Sequence, residues 1–246
     1  QSAAAGPVGF ADIRRRYGFR SIGIGGWVTR DEQAVAAKRF DGAFMELMRT
    51  LRGPESLISL RGTVSLNYGI GGQPGVAAHY EPARQCLALA KNAGPGSLAH
   101  EWFHALDHYL ADKAFQSVQP GVFASRAWLT ESPMVQHPIN QRLMDCFRTI
   151  MISDDGGKPS NVFQASVRAD ETLGVQYYSL PEEVAARAFE AFVQDSASGN
   201  SFLAKGTRGT REARMGLYPG NDERQRINRA FAAYFHTLGP ALERSG

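Results

Sequence analysis

His100-Glu101-Trp102-Phe103-His104 places two imidazoles four residues apart with a carboxylate between them. In a helix, positions i and i+4 lie one above the other. Both imidazoles then face one point, as a tetrahedral zinc ion requires. Glu101 falls about a quarter-turn round, near the metal but off it, where a carboxylate can take a proton from a metal-activated water. Gly94-Pro95-Gly96 breaks what precedes, Ser97 is placed to cap, and Leu98, Ala99, Phe103, Ala105, Leu106, Tyr109 and Leu110 are good helix or core residues. Two purely structural histidines are the plain alternative. On so apolar a helix they are costly without a shared partner.

A catalytic zinc site usually has three protein ligands and an open position. Asp107, His108, His137, Glu182, Glu183 and Glu190 are the candidates for the third. His108 is one more turn along the same face, too far from His100 to close a tetrahedron with both histidines. Asp107 suits the orienting of an imidazole, and His137 reads as an ordinary loop histidine. The best source is the helix predicted from Pro181, which opens with Glu182-Glu183 and continues rich in Ala, Phe and Val. Glu183, Arg187, Glu190 and Gln194 form one polar stripe, whereas Glu182 falls towards Ala186, Phe189 and Val193. Helical geometry alone does not choose between the two glutamates.

The elements that must position these residues can be read from apolar spacing and breakers. Residues 1–7 read as a disordered lead-in and about 8–20 as a basic helix ending at Gly18. Ser21-Ile22-Gly23-Ile24 reads as a strand, and Asp31 to Arg52 as a helix stopped by Gly53-Pro54. Three strand-like stretches follow: Leu57 to Leu60, Thr63 to Tyr68, and a hairpin of Ala77 to Glu81 with Cys86 to Ala90. After the motif helix, Gln119 to Pro138 reads as a long irregular loop. Helices are predicted at about 139–152, 181–196 and 221–238, with loops at 153–176 and 198–210. The fold class is α+β, with Ala77 to Glu81 as the sheet edge best placed to pair with an extended peptide.

With 246 residues, 43% of them hydrophobic, the chain can bury a core as one domain of two lobes. A net charge of +3 does not argue for nucleic acid. The basic clusters at Arg14-Arg15-Arg16 with Arg20, and from Lys205 to Arg214, read as solvated surface. Two cysteines, Cys86 and Cys146, make no disulfide framework and read as buried thiols, so a reducing, cytoplasmic setting is expected. No stretch has the length of a membrane span.

The histidine motif with a later helix glutamate resembles the gluzincin class of zinc metallopeptidases. Glu183-Val184-Ala185-Ala186-Arg187-Ala188-Phe189 is similar to the third-ligand helix of the anthrax lethal factor group. A wider set resembles the metallopeptidase-like domain of large polyvalent proteins of phages and mobile elements. It comprises Arg16 to Arg20, Gly26-Trp27-Val28, Ala78 to Pro82, Gly96 to Trp102, Ala105 to Tyr109 and Ala186 to Glu190, over roughly residues 14–195. The resemblance implies a zincin-like fold: a mixed lobe at about 8–115 carrying the active-site helix, and a mostly helical lobe at about 116–246. It also implies Zn2+ held by His100, His104 and Glu183, with Glu190 and Asp107 as outer partners. Tyr177 or its neighbour Tyr178 would stabilise an oxyanion, as a tyrosine does in related enzymes. One departure stands out. Gluzincins often carry an acidic residue four positions after the glutamate ligand, and here that position is Arg187.

The expected function is therefore a zinc-dependent endopeptidase acting on a polypeptide, with Glu101 as general base. Its rival is a metal-bearing binding or anti-restriction module carried with phage or plasmid DNA, to which the basic clusters lend weak support for nucleic acid as partner.

Overall fold

The computed structural model describes residues 8–70, 78–91, 96–197 and 199–244; the lead-in 1–7, Ala77 and Gly94-Pro95 lie outside them. Helix α1 (Phe10–Tyr17) buries Phe10, Ile13 and Tyr17 on one face and stops at Gly18, whose φ of 70° suits a residue without Cβ. Strand β1 is Ile22–Ile24. Helix α2 (Arg30–Leu51) starts at a reciprocal Thr29–Glu32 capping box and buries Phe40, Phe44, Leu47 and Leu51. The run from Leu57, expected as a strand, instead begins within a single helical turn, α3 (Glu55–Ile58), which Pro54 precedes. Three apolar residues within four fit either period. Here the chain turns back through Leu60 and Arg61, both at positive φ, and that reversal excludes a strand.

Strands β2 (Ser65–Tyr68), β3 (Ala78–Glu81) and β4 (Cys86–Leu89) complete a four-stranded sheet ordered β1-β2-β4-β3. β1, β2 and β4 run parallel, and β3 lies antiparallel on the outside of β4, with Tyr80 opposite Leu87. The expected edge is therefore a true edge. The fold is α+β, a small sheet with helices.

Helix α4 (Ser97–Ala114) carries the histidine motif and packs on β3 and β4. Two expected loops hold helices. α5 (Ala124–Leu129) interrupts the Gln119 to Pro138 stretch, and Asp107 explains why: its two oxygens accept the Ser125 N–H at 2.8 Å and hydroxyl at 2.6 Å. After α6 (Pro138–Met151), α7 (Asn161–Leu173) occupies most of 153–176, capped by the Ser160 hydroxyl and closed by Gly174. Its buried face is built from Val162 and small residues (Ala165, Ser166, Ala169), too weak an apolar signal beside the Asp154-Asp155-Gly156-Gly157 turn. α8 (Pro181–Ser196), the short α9 (Arg211–Arg214) and α10 (Asn221–Arg244) follow; α10 continues through Pro240, past its expected end.

α8 is buried from Pro181 to Val193 and packs along α4 and α10. Phe103 stacks on Phe189 at 4.8 Å, and Phe189, Phe192, Phe231 and Phe235 form one aromatic cluster. Trp102 lies against the same Phe189 and donates its indole N–H to the Ile58 carbonyl at 2.9 Å, so the α3 turn satisfies a buried donor. Arg16 and Arg20, expected as solvated surface, reach Glu55 and Asp41, and Ser65, Gln85 and the Arg84 carbonyl, respectively.

The far end of α8 is tied down by buried Arg224, which grips Asp195 through Nε at 2.7 Å and Nη2 at 2.8 Å. Burial opposes the charge on Asp195, but hydrogen bonds from Arg224, Arg208 and Asn228 outweigh it and hold the carboxyl at about 2. A folded-state value below the unfolded 3.8 stabilises at higher pH and loses its effect as pH falls through about 2. Asp195→Asn is expected to lower stability by about 1 kcal/mol at neutral pH, solvent at this exposed residue screening part of the interaction. In urea unfolding measured from pH 7 to pH 2, the parent and variant curves should converge below pH 4.

Candidate metal centre

The N-terminus of α4 is held by backbone rather than by a side-chain cap. Gly96, not Ser97, occupies the N-cap, at φ 103°. A Cβ there would lie 2.7 Å from the Lys205 nitrogen. The segment that approaches so closely supplies the Leu203 carbonyl to the Ala99 N–H at 3.0 Å, satisfying one of the donors a helix start leaves open. His100 and His104 follow within the next two turns, with Nε2 atoms 3.1 Å apart.

Glu183, in the first turn of α8, faces both: its oxygens lie 3.3 Å from His100 Nε2 and 3.3 Å from His104 Nε2. Glu182 turns the other way, to the Arg126 guanidinium of α5. The choice that helical geometry left open is thus made by where α8 sits against α5. Among the described residues, His100, His104 and Glu183 are the group of His, Cys, Asp or Glu side chains whose ligand atoms all lie within 4.8 Å of one another.

These residues fit a metal. Zinc–nitrogen bonds of about 2.0–2.1 Å in a tetrahedron put neighbouring ligand atoms about 3.3 Å apart, close to the 3.1 and 3.3 Å separations here. Glu183 Oε2 and His104 Nδ1 are buried with no hydrogen-bond partner, which a protein seldom leaves unanswered. The electrostatics agree. Burial alone would lower His100, but the carboxylates of Glu183 and Glu190 raise it to about 10. Burial alone would raise Glu183, and the two histidines hold it well below the usual carboxylate range. The negative potential that holds a proton on His100 equally favours a cation in that proton's place.

Glu101 stands beside the cluster rather than in it. Its Oε2 accepts the backbone N–H of Tyr80 on edge strand β3 at 2.8 Å. The Tyr80 hydroxyl meets His108 Nδ1 at 2.8 Å, so His108 fastens β3 to α4 and makes no third imidazole at the cluster. His137 caps α6, accepting the Ile139 N–H. Asp107, expected to orient an imidazole, is instead committed to Ser125; burial raises its carboxyl to about 6. Cys86 and Cys146 are buried free thiols.

Of the two tyrosines, Tyr177 is the one whose phenol feels the charge of Glu183. Burial and then the charge of Glu183 raise its phenol well above the ordinary value, while the residue keeps 47% of its surface exposed. Tyr178 lies over the Arg187 guanidinium. Asp170 was missed by sequence reasoning because it sits in the unforeseen α7. It accepts hydrogen bonds from the N–H groups of Tyr177, Tyr178 and Ser179 and from the Ser179 hydroxyl. These hold its carboxyl below the usual range against the effect of burial. An aspartate three residues before a helix-ending Leu-Gly, followed by Tyr-Tyr-Ser, was the available signal. Arg187 was visible as a departure but its role was not. It donates to the Leu217 carbonyl, the Ser166 hydroxyl and the Tyr178 carbonyl, and lies 3.9 Å from Glu183.

Residues 169–242 match the family described as large polyvalent protein-associated domain 1. This part of the chain is therefore similar to a domain associated with large polyvalent proteins. No curated protein and no solved structure matches the chain. The matched segment contains Asp170, Tyr177, Glu183, Arg187 and Glu190 but not the motif helix α4.

About one zinc per chain is expected by metal analysis of the purified protein. His100→Ala should abolish uptake and His108→Ala should leave it largely intact. Glu183→Gln should weaken retention far more than Glu182→Gln. Equal losses within either pair would contradict the ligand set.

Proposed function

We propose that this chain is a zinc-dependent endopeptidase with a zincin-like two-lobe fold, its lobes at about residues 8–115 and 116–246. His100, His104 and Glu183 would hold the metal. The reading rests chiefly on one observation: two imidazoles and a carboxylate converge in a buried cluster with a carboxylate oxygen that accepts no hydrogen bond, and a further carboxylate, Glu101, stands beside it. Zinc, when bound, supplies a Lewis acid that polarises a carbonyl and makes water acidic enough to attack near neutral pH.

The chain's own residues do the rest. Glu101 accepts the proton of the attacking water and passes it to the leaving amine. Its link to the Tyr80 N–H keeps its carboxylate next to the outer edge of β3, where an extended polypeptide can add as a further strand. The Tyr177 hydroxyl donates to the developing oxyanion. Asp170 fixes the backbone on either side of Tyr177 and so limits where that hydroxyl can go. The buried, unpaired cysteines are in keeping with action in a reducing cytoplasm.

The match to a large polyvalent protein-associated domain favours a second reading. In it the chain is an accessory module of a mobile element, for binding or anti-restriction, and any hydrolysis is incidental. One comparison separates the two. Glu101→Gln removes the proton acceptor and leaves the metal cluster intact, so zinc content and thermal melting should match the parent. Cleavage of a sensitive unfolded polypeptide should fall by about 10²–10⁴-fold. A variant that keeps zinc, melts normally and cuts at the parent rate would rule out this mechanism. A zinc-loaded parent that cuts nothing in a broad peptide library would favour the accessory module.

A further inference from the structure

We propose that Tyr218 is a positioning residue for His100, acting through Glu190. The inference rests on the metal reading above. Glu190 lies two helical turns after Glu183 on α8, so both carboxylates point from the same face towards α4. Its Oε2 is 3.5 Å from His100 Nδ1, on the side of the ring opposite the nitrogen that faces Glu183. That same oxygen accepts the Tyr218 hydroxyl at 3.0 Å. Glu190 is buried, and a buried carboxylate needs donors to stay charged and fixed. Tyr218 is such a donor, brought in from the loop after α9.

Arg187 makes this arrangement possible. It stands one turn after Glu183, where a carboxylate brace would otherwise be expected. Its Nε holds the carbonyl of Leu217 at 2.9 Å, immediately before Tyr218. Its Nη2 holds the carbonyl of Tyr178, immediately after Tyr177. One buried guanidinium thus anchors both tyrosine-bearing segments, Tyr177 at Glu183 and Tyr218 at Glu190. The carboxylate support of His100 has moved one turn further along α8, and a phenol from a separate segment locks it there. An outer partner of this kind fixes the tautomer and direction of a ligating imidazole.

The test is zinc affinity, measured by competition with a chromophoric chelator on the parent, Tyr218→Phe, Glu190→Gln and the double variant. Cobalt(II) absorption would report ligand geometry, and melting of the metal-free proteins would report structure. Tyr218→Phe should weaken zinc binding by about 10-fold, at the low end of the roughly 10–100-fold expected for outer partners, with melting unchanged. The double variant should bind as Glu190→Gln does, because the hydroxyl acts only through that carboxylate. Parent-like affinity in Tyr218→Phe, or a double variant showing the product of the two losses, would overturn the inference while leaving the metal reading in place. A parent that takes up neither zinc nor cobalt would remove both.

Discussion

Two imidazoles and two carboxylates share one buried crossing of α4 over α8, and most of the molecule serves to make that juxtaposition tolerable. Charged or polar groups withdrawn from water are costly unless they answer one another. The crossing is close because the contact is built from small and flat side chains, with Phe103 stacked on Phe189 and alanines on either side. The aromatic cluster with α10 supports α8 from behind. Packing of this density transmits small displacements, so ligand spacing here depends on apolar residues that never touch the cluster.

Three cationic side chains organise the surroundings, each by a different route. Arg187 holds two backbone carbonyls and thereby two tyrosines. Arg224 ties the end of α8 to α10 and to the loop that leads back to Gly96. Arg126 takes Glu182 out of competition for the cluster. Arginine suits all three positions because its planar fork satisfies several acceptors at once, and at buried Arg187 and Arg224 it keeps its charge. The segment matched to the large polyvalent protein-associated domain contains two of these arginines together with Asp170, Glu183 and Glu190. That segment of this chain therefore carries the side of the cluster that faces the motif helix.

The other half is the sheet. β3 is held to α4 through Tyr80, by its N–H at Glu101 and its hydroxyl at His108. An edge strand left free would invite pairing along its whole length; here one of its donors is already taken by the Glu101 carboxylate. Any chain that pairs with β3 therefore meets Glu101 directly, which couples occupancy of the edge to the position of the proposed base.

The sequence alone determined a good deal. A five-residue motif on an apolar helix has one geometry, so His100, His104 and Glu101 were legible from helical period, as were α1, α2, α6, α8, most of α10 and all four strands. Glu183 was within reach as one of two glutamates, and the resemblance to a known ligand helix preferred it. Other features depended on contacts between distant segments. The rotation of α8 that separates Glu183 from Glu182 is set by Arg126 on a helix hidden in an apparent loop. The role of Asp170 required α7, whose small buried residues leave little periodic signal. Leu57 and Ile58 became a helical turn because the chain reverses at Leu60 and Arg61 and the Trp102 indole needs the Ile58 carbonyl. The backbone at Tyr177 and Tyr178 is held by Asp170 and Arg187, contacts that no local pattern announces. Local periodicity places a side chain on a face; which face meets which partner is decided by packing and by the hydrogen bonds that buried polar groups require.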